Sequence, residues 1–133
     1  MLLIKDIMSS SPKTVDESAP VKKAKQIMSQ NSVRHLPVVS GGKLCGIITD
    51  RDLKLAQAVT NDKHFDEHRL VGDICLRNIY LVKSSEPAQN VLAYMAKEKI
   101  GSAVVIEGNK LAGIFTVTDA CKAFAEHLRS NEK

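Results

Sequence analysis

A chain of 133 residues, 44% apolar and 26% charged, has room for one compact domain or two very small ones and the composition of an ordinary soluble globular protein. Its net charge of +4 comes from scattered basic residues, and aromatics are 4% with no Trp, so no stacking platform or basic patch marks it for nucleic acid, and no nucleic-acid partner is expected. Cys45, Cys75 and Cys121 form no C-x-x-C and no even framework, MLLIKDIM is too short and too soon charged for a signal peptide, and no apolar run nears the ~18 residues of a bilayer span, so a cytoplasmic protein with reduced thiols and no membrane partner is expected.

In chain order, IKDIM opens the sequence and an extended piece at Thr14-Val15 precedes the first helix. Ser18-Ala-Pro20 marks the start of that helix, because Ser can cap and Pro fits a first turn where its missing N–H costs nothing. Val21, Ala24, Ile27 and Met28 then recur at helical spacing. RHLPVVS reads as a strand, Gly41-Gly42 as a turn, KLCGII as the return strand, and a second helix begins just after Thr49. Residues 57–69, QAVTNDKHFDEHR, are polar and read as a helix end and linker. His64 and His68 share one face if that stretch is helical, but no third ligand stands at a familiar spacing, so a solvated linker is favoured over a metal site.

The pattern then restarts. Leu81-Val82 is extended, Ser85-Glu-Pro87 opens a helix carrying Ala88, Val91, Leu92 and Met95, and SAVVIE, Gly108-Asn109 and KLAGIF form a hairpin. A last helix follows Thr116, and the polar EHLRSNEK is expected to fray. Offset by 67 positions, residues 3–55 and 70–122 align without a gap and share 15 identities in 53 pairs, against about three by chance. The chain is an internal duplication of a β-α-β-β-α unit, an α/β (α+β) class. One such unit is marginal alone, so the copies are expected to pack with approximate two-fold symmetry: 1–56, a linker over 57–69, and 70–133.

Both copies end their hairpin on one outline, GIITDRD at Gly46–Asp52 and GIFTVTD at Gly113–Asp119. Thr followed three residues later by an acid at a helix start is a capping box, which explains the spacing without any ligand. The same atoms suit a nucleotide. A helix N-terminus attracts phosphate, a carboxylate there can accept both hydroxyls of a ribose, and a threonine hydroxyl donates or accepts. The glycine would leave the backbone bare for a flat ring to approach. Both readings stay open on the motif alone.

The whole set of segments (IKDIM, VRHLPVV, KLCGIITDRDL, then VGDI, IGSAVVI, KLAGIFTVTDA) resembles the cystathionine-β-synthase (CBS) domain family, as a tandem pair or Bateman module. The resemblance implies tandem β-α-β-β-α repeats with pseudo-two-fold symmetry, two clefts between the repeats, and binding of an adenine nucleotide such as AMP, ADP or ATP, or of S-adenosylmethionine or NAD. It implies phosphate and ribose contacts from Thr49 and Asp52 and from Thr116 and Asp119. Arg51 and Thr118 precede the two aspartates and are further candidates. Backbone entering the first strand implies Pro12, Lys13 and Thr14, and Ile79, Tyr80 and Leu81. The strand before the turn implies Arg34, His35 and Pro37, and Ser102 and Ala103. Gly101, Ser102 and Ala103 stand where the first copy has Arg34, His35 and Leu36, so one strong and one weaker or empty site are expected.

No G-x-S-x-G, Walker or Cys–His signature is present, so an enzyme is not expected and no catalytic cofactor is implied. The expectation is a regulatory ligand-sensing module that forms a homodimer of CBS pairs and informs an effector protein, since no effector domain is visible in the chain. The alternative is a ligand-free dimerisation or scaffold module in which both Thr-x-x-Asp stretches are only caps.

Overall fold

The computed structural model describes residues 1–132. In order, its elements are α1 (Ile4–Ile7), β1 (Ser9–Ser10), β2 (Val15–Asp16), α2 (Val21–Asn31), β3 (His35–Ser40), β4 (Lys43–Thr49) and α3 (Asp50–Ala58). There follow α4 (Phe65–His68), α5 (Val71–Ile74), β5 (Leu81–Lys83), α6 (Ala88–Glu98), β6 (Ser102–Glu107), β7 (Lys110–Thr116) and α7 (Val117–Ser130). This is a tandem α+β fold with two sheets, and each copy adds a one-turn helix, α1 or α5, ahead of the expected pattern. The chain divides into two compact units. One is continuous, Lys13–Ile79; the other is split, joining Met1–Pro12 to the chain from Tyr80 onward.

The continuous unit holds the sheet β2-β3-β4. β2 runs parallel to β3, and β3 antiparallel to β4 through Gly41 and Gly42, whose φ of 55° and 82° suit the tight turn a right-twisted hairpin needs. Alternation places Leu36, Val38 and Ile48 on one face, where they form a core with Val21, Ala24 and Met28 of α2, Leu53 of α3 and Val71 of α5. Phe65 of α4, inside the polar stretch after α3, is also fully buried in that core.

The split unit holds the sheet β1-β7-β6-β5. Ala103, Val105 and Phe115 occupy its inner face, closed by Ile4 of α1 and by Val91 and Met95 of α6. A single proline separates the two parallel pairs. Val104 in β6 donates its N–H to the Tyr80 carbonyl at 2.9 Å, and β5 pairs over three residues from Leu81. The equivalent residue in β3 is Pro37, which has no N–H to give. β2 accordingly begins only at Val15 and pairs over two.

The helix starts at α2 and α6 differ from the serine cap that the sequence suggests. Pro20 and Pro87 themselves are the N-caps, with no side-chain bond. The first helical N–H of each finds a backbone acceptor instead: Val21 donates to Arg69 O and Ala88 to Leu2 O, both at 2.9 Å. Ser18 is drawn away, its N–H and hydroxyl donating to Asp16 Oδ1 at 2.9 and 2.7 Å, a local turn that competes with capping. These bonds, with the Ser18 N–H the stronger, hold the Asp16 carboxyl below its usual range. Both helices end on a left-handed residue, Ser32 or Lys99. Among the described residues no helix is long and apolar enough to cross a membrane.

Candidate functional site

In the continuous unit the end of the β3–β4 hairpin and the start of α3 gather most of the residues expected to hold a ligand. His35 stands opposite Thr49 in the ladder, and Asp50 N–H donates to Arg34 O at 2.9 Å. This bond carries the strand directly into α3. The capping box is complete: Thr49 Oγ1 accepts from Asp52 N–H, and Asp52 Oδ2 accepts from Thr49 N–H, both at 3.1 Å. Arg34 and Arg51 are exposed and His35 half-buried, so two permanent cations and an imidazole share this unit with the Asp52 carboxylate. Asp50 is turned to Lys54, 2.9 Å away. Lys13 and half-buried Thr14 lead into β2, Pro37 is buried on β3, and half-buried Ile79 closes the unit.

The split unit repeats the arrangement on different chemistry. Ser102 stands opposite Thr116, and Thr116 N–H donates to Asp119 Oδ2 at 2.9 Å. The hydroxyl half of the box is altered, because Thr116 Oγ1 is turned to Asp119 Oδ2 at 3.4 Å and makes no capping bond to a helix N–H. The other oxygen, Oδ1, accepts from Ser9 Oγ at 2.7 Å. Thr118 is exposed on the first turn of α7. Ala103 is fully buried with its side chain in the core. Tyr80 packs against Tyr94, with ring centroids 4.4 Å apart, and burial pushes its phenol up. Leu81 lies in β5 and half-buried Pro12 ends the N-terminal segment of this unit.

The role read for the glycines is corrected. A Cβ on Gly46 would stand 2.8 Å from Leu76 O and 3.0 Å from Cys75 Sγ. One on Gly113 would stand 2.7 Å from Ser9 O and would strike Met8 Sδ. The space over each glycine is therefore taken by the chain itself. Ser9 and Ser10 pair with Ile114 and Gly113, and Leu76 bridges Ile47. The bare backbone admits a crossing strand, not a flat ring.

Ser9, which bonds the candidate residue Asp119, is not among the residues expected from the sequence. Its partner lies 110 positions away, and a run of three serines after Met8 carries no sign of which hydroxyl is used. A second pairing was readable from the repeat. Glu17 meets the Ser40 hydroxyl in one unit, and Ser84 donates to Glu107 Oε1 at 2.9 Å in the other. The partners are the same two residue types exchanged between equivalent positions of the two copies. The Ser40 hydroxyl, then Arg77, holds the Glu17 carboxyl below its usual range. Arg77 Nη2 bonds Glu17 Oε1 at 3.0 Å and Gly72 O at 2.9 Å.

Burial pushes the Cys45 and Cys75 thiols up, which disfavours the nucleophilic thiolate. His68 Nδ1 lies 3.5 Å from Asp62 Oδ2, and the His64 and His68 rings are 5.3 Å apart. Among the described residues no group of three or more His, Cys, Asp and Glu is arranged to hold a metal. The split unit also carries an open apolar groove of about 810 Å³ lined by Met1, Leu2, Leu92, Ala120 and Phe124 among others. α7 contributes no fully buried residue, and Phe124 is 60% exposed.

Two α+β units, each ending a hairpin on a Thr-x-x-Asp helix start, define a tandem-repeat module. The CBS domain profile matches residues 4–58 and 71–126, and the chain belongs to the CBS-domain family as a pair. It is 33% identical over 124 residues to an L-aspartate semialdehyde sulfurtransferase of Methanocaldococcus jannaschii, covering 92% of this chain and 23% of that protein. It is 31% identical over 127 residues to a CBS domain-containing protein of Dictyostelium discoideum, covering 89% and 88%. The solved CBS domain pair of protein MJ0100, in complex with 5′-methylthioadenosine and S-adenosyl-L-methionine, superposes with a TM-score of 0.84 at 29% identity over 96% of this chain and 98% of that one. The chain spans about a quarter of the length of the enzymes it matches.

Proposed function

We propose that this CBS pair is a regulatory module that binds an adenosine-containing ligand, an AMP, ADP or ATP type of nucleotide or a sulfonium or thioether relative. It then passes the bound state to an effector polypeptide. The observation that carries the reading is the Asp52 carboxylate at the start of α3, held at one oxygen by the Thr49 N–H and accompanied in its unit by Arg34, His35 and Arg51. A ribose diol can share such a carboxylate, and the helix N-terminus and the arginines suit a phosphate. The adenosine compounds bound by the MJ0100 pair support the same ligand class. The enzymes of which such a pair is about a quarter support an effector of enzymatic kind and a module that is not itself catalytic. The effect available on that effector is the ligand's differential affinity for the module's two states.

A thermal-shift and calorimetric screen of the ligand-free chain with AMP, ADP, ATP, S-adenosylmethionine, 5′-methylthioadenosine and NAD tests the reading. At least one compound is expected to bind. Asp52→Glu is expected to keep stability, because Glu suits the third position of a capping box, and to lose affinity, because the longer chain misplaces the diol contact. No response to any compound would remove the ligand reading.

The apolar groove and exposed α7 favour one further reading, a homodimer of CBS pairs formed through that face. With no ligand bound by any variant, a dimer lost on Phe124→Asp by sedimentation would leave a dimerisation scaffold as the function.

A further inference from the structure

We propose that Ser9 decides which of the two aspartates takes the ribose: its hydroxyl occupies Asp119 and so reserves adenosine binding for Asp52. The inference rests on the adenosine reading and adds to it the residue that makes the two copies unequal.

The chain's own donors use both oxygens of Asp119. Oδ2 receives Thr116 N–H at 2.9 Å and Thr116 Oγ1 at 3.4 Å, and Oδ1 receives Ser9 Oγ at 2.7 Å. An ionised carboxylate offers about four lone-pair sites, and the chain's own donors take three of them, so a vicinal diol that uses both oxygens of Asp119 has to compete with the serine. Backbone pairing holds that serine in place. β1 lies antiparallel to β7 with Ser10 opposite Gly113 and Ser9 opposite Ile114, two positions before the strand ends at Thr116. The glycine lets the crossing strand approach, and the register brings the Ser9 hydroxyl to the first turn of α7.

The continuous unit has the same crossing with a different side chain. Leu76 bridges Ile47, with Ile47 N–H to Leu76 O at 2.9 Å and Leu76 N–H to Ile47 O at 2.8 Å. Leu76 therefore holds the register position of Ser9, and a leucine side chain has no proton to donate. Asp52 receives Thr49 N–H at Oδ2, and the leucine at the crossing position gives it no bond like that of Ser9. Charge follows the same division: Arg34, His35 and Arg51 lie in this unit, against Gly101, Ser102 and Thr118 in the other. A hydrogen bond to a carboxylate that must be given up on binding weakens the competing ligand by about ten- to a hundredfold.

The test is calorimetric titration of the full chain with AMP and with 5′-methylthioadenosine, which share the diol and differ in the phosphate. Wild type is expected to bind one equivalent. Ser9→Ala is expected to reveal a second equivalent at Asp119, or to tighten a weak second phase by about ten- to a hundredfold. The reciprocal variant Leu76→Ser, which places a hydroxyl at the register position of Ser9, is expected to weaken the first phase by the same order. Both positions are exposed, and circular dichroism checks that each variant folds. Unchanged stoichiometry and affinity in Ser9→Ala would overturn the proposal while leaving the adenosine reading in place. Weaker binding in Ser9→Ala would also overturn it, by making Ser9 a ligand contact. Silence of both probes with wild type and Ser9→Ala alike would overturn the adenosine reading and the proposal with it.

Discussion

The continuous and split units build one device from different residues. In the first, Thr49 and Asp52 cap each other and the carboxylate has a leucine at the crossing position. In the second, the Thr116 hydroxyl is turned to the Asp119 carboxylate, and the serine at the crossing position takes the other oxygen. The same divergence runs through the sheets, where Pro37 shortens β2 and Val104 lengthens β5. A duplication thus keeps its backbone plan while single side chains redistribute donors and acceptors. Two copies of one sequence outline need not be two equal sites.

The largest test of this comparison is Phe65→Ala. Phe65 is fully buried in the continuous core, and its loss is expected to cost about 3–5 kcal/mol by urea denaturation. Loss of amide protection should concentrate in residues 13–79, and uniform loss across the chain would break the division into units. Next come Gly46→Ala and Gly113→Ala, where a Cβ meets a crossing backbone oxygen at 2.8 or 2.7 Å. Each is expected to cost roughly 1–3 kcal/mol, and near-neutral variants would mean that the crossing strands are loosely held. Smaller again is Thr49→Ala, about 1 kcal/mol for a lost cap. Thr116→Ala should cost less, because its hydroxyl caps no helix N–H; equal losses would show that the two caps work alike.

The smallest effect is on pH dependence. The Glu17 carboxyl sits below its ordinary value of 4.5, through the Ser40 hydroxyl and then Arg77. A depressed carboxylate contributes stability above its unfolded value, and that contribution is lost as pH falls through the folded one. Glu17→Gln should therefore flatten the fall of the thermal midpoint below pH 4.5. An unchanged acid limb would remove Glu17 from the account.

Much of this was legible in the chain itself. The 67-residue offset exposed both hairpins, both Gly-containing turns and both Thr-x-x-Asp helix starts, because those depend on residues near one another in sequence. It did not show which core receives each leading segment. Ile4 and Val71 are both apolar, follow near-identical patterns and fit either core, so the entry of Ile4 into the split core and Val71 into the continuous one is invisible locally. Phe65 was hidden by its polar neighbours. Ser18 looked like a cap because its competing acceptor, Asp16, and the backbone oxygen of Arg69 act only in the folded chain. At the candidate site Asp52 and Asp119 were visible from spacing. The hydroxyl that separates them was not, since it arrives from the opposite end of the sequence.

The central claim is that the two aspartates are unequal. The most direct measurement is titration of Asp52→Asn and Asp119→Asn with AMP and 5′-methylthioadenosine. Asparagine keeps an acceptor for the capping N–H, so the fold should stand in both. Asp52→Asn is predicted to lose about ten- to a hundredfold in affinity, and Asp119→Asn to stay within about twofold of wild type. Equal losses in the two variants, or the larger loss at Asp119, would contradict the account.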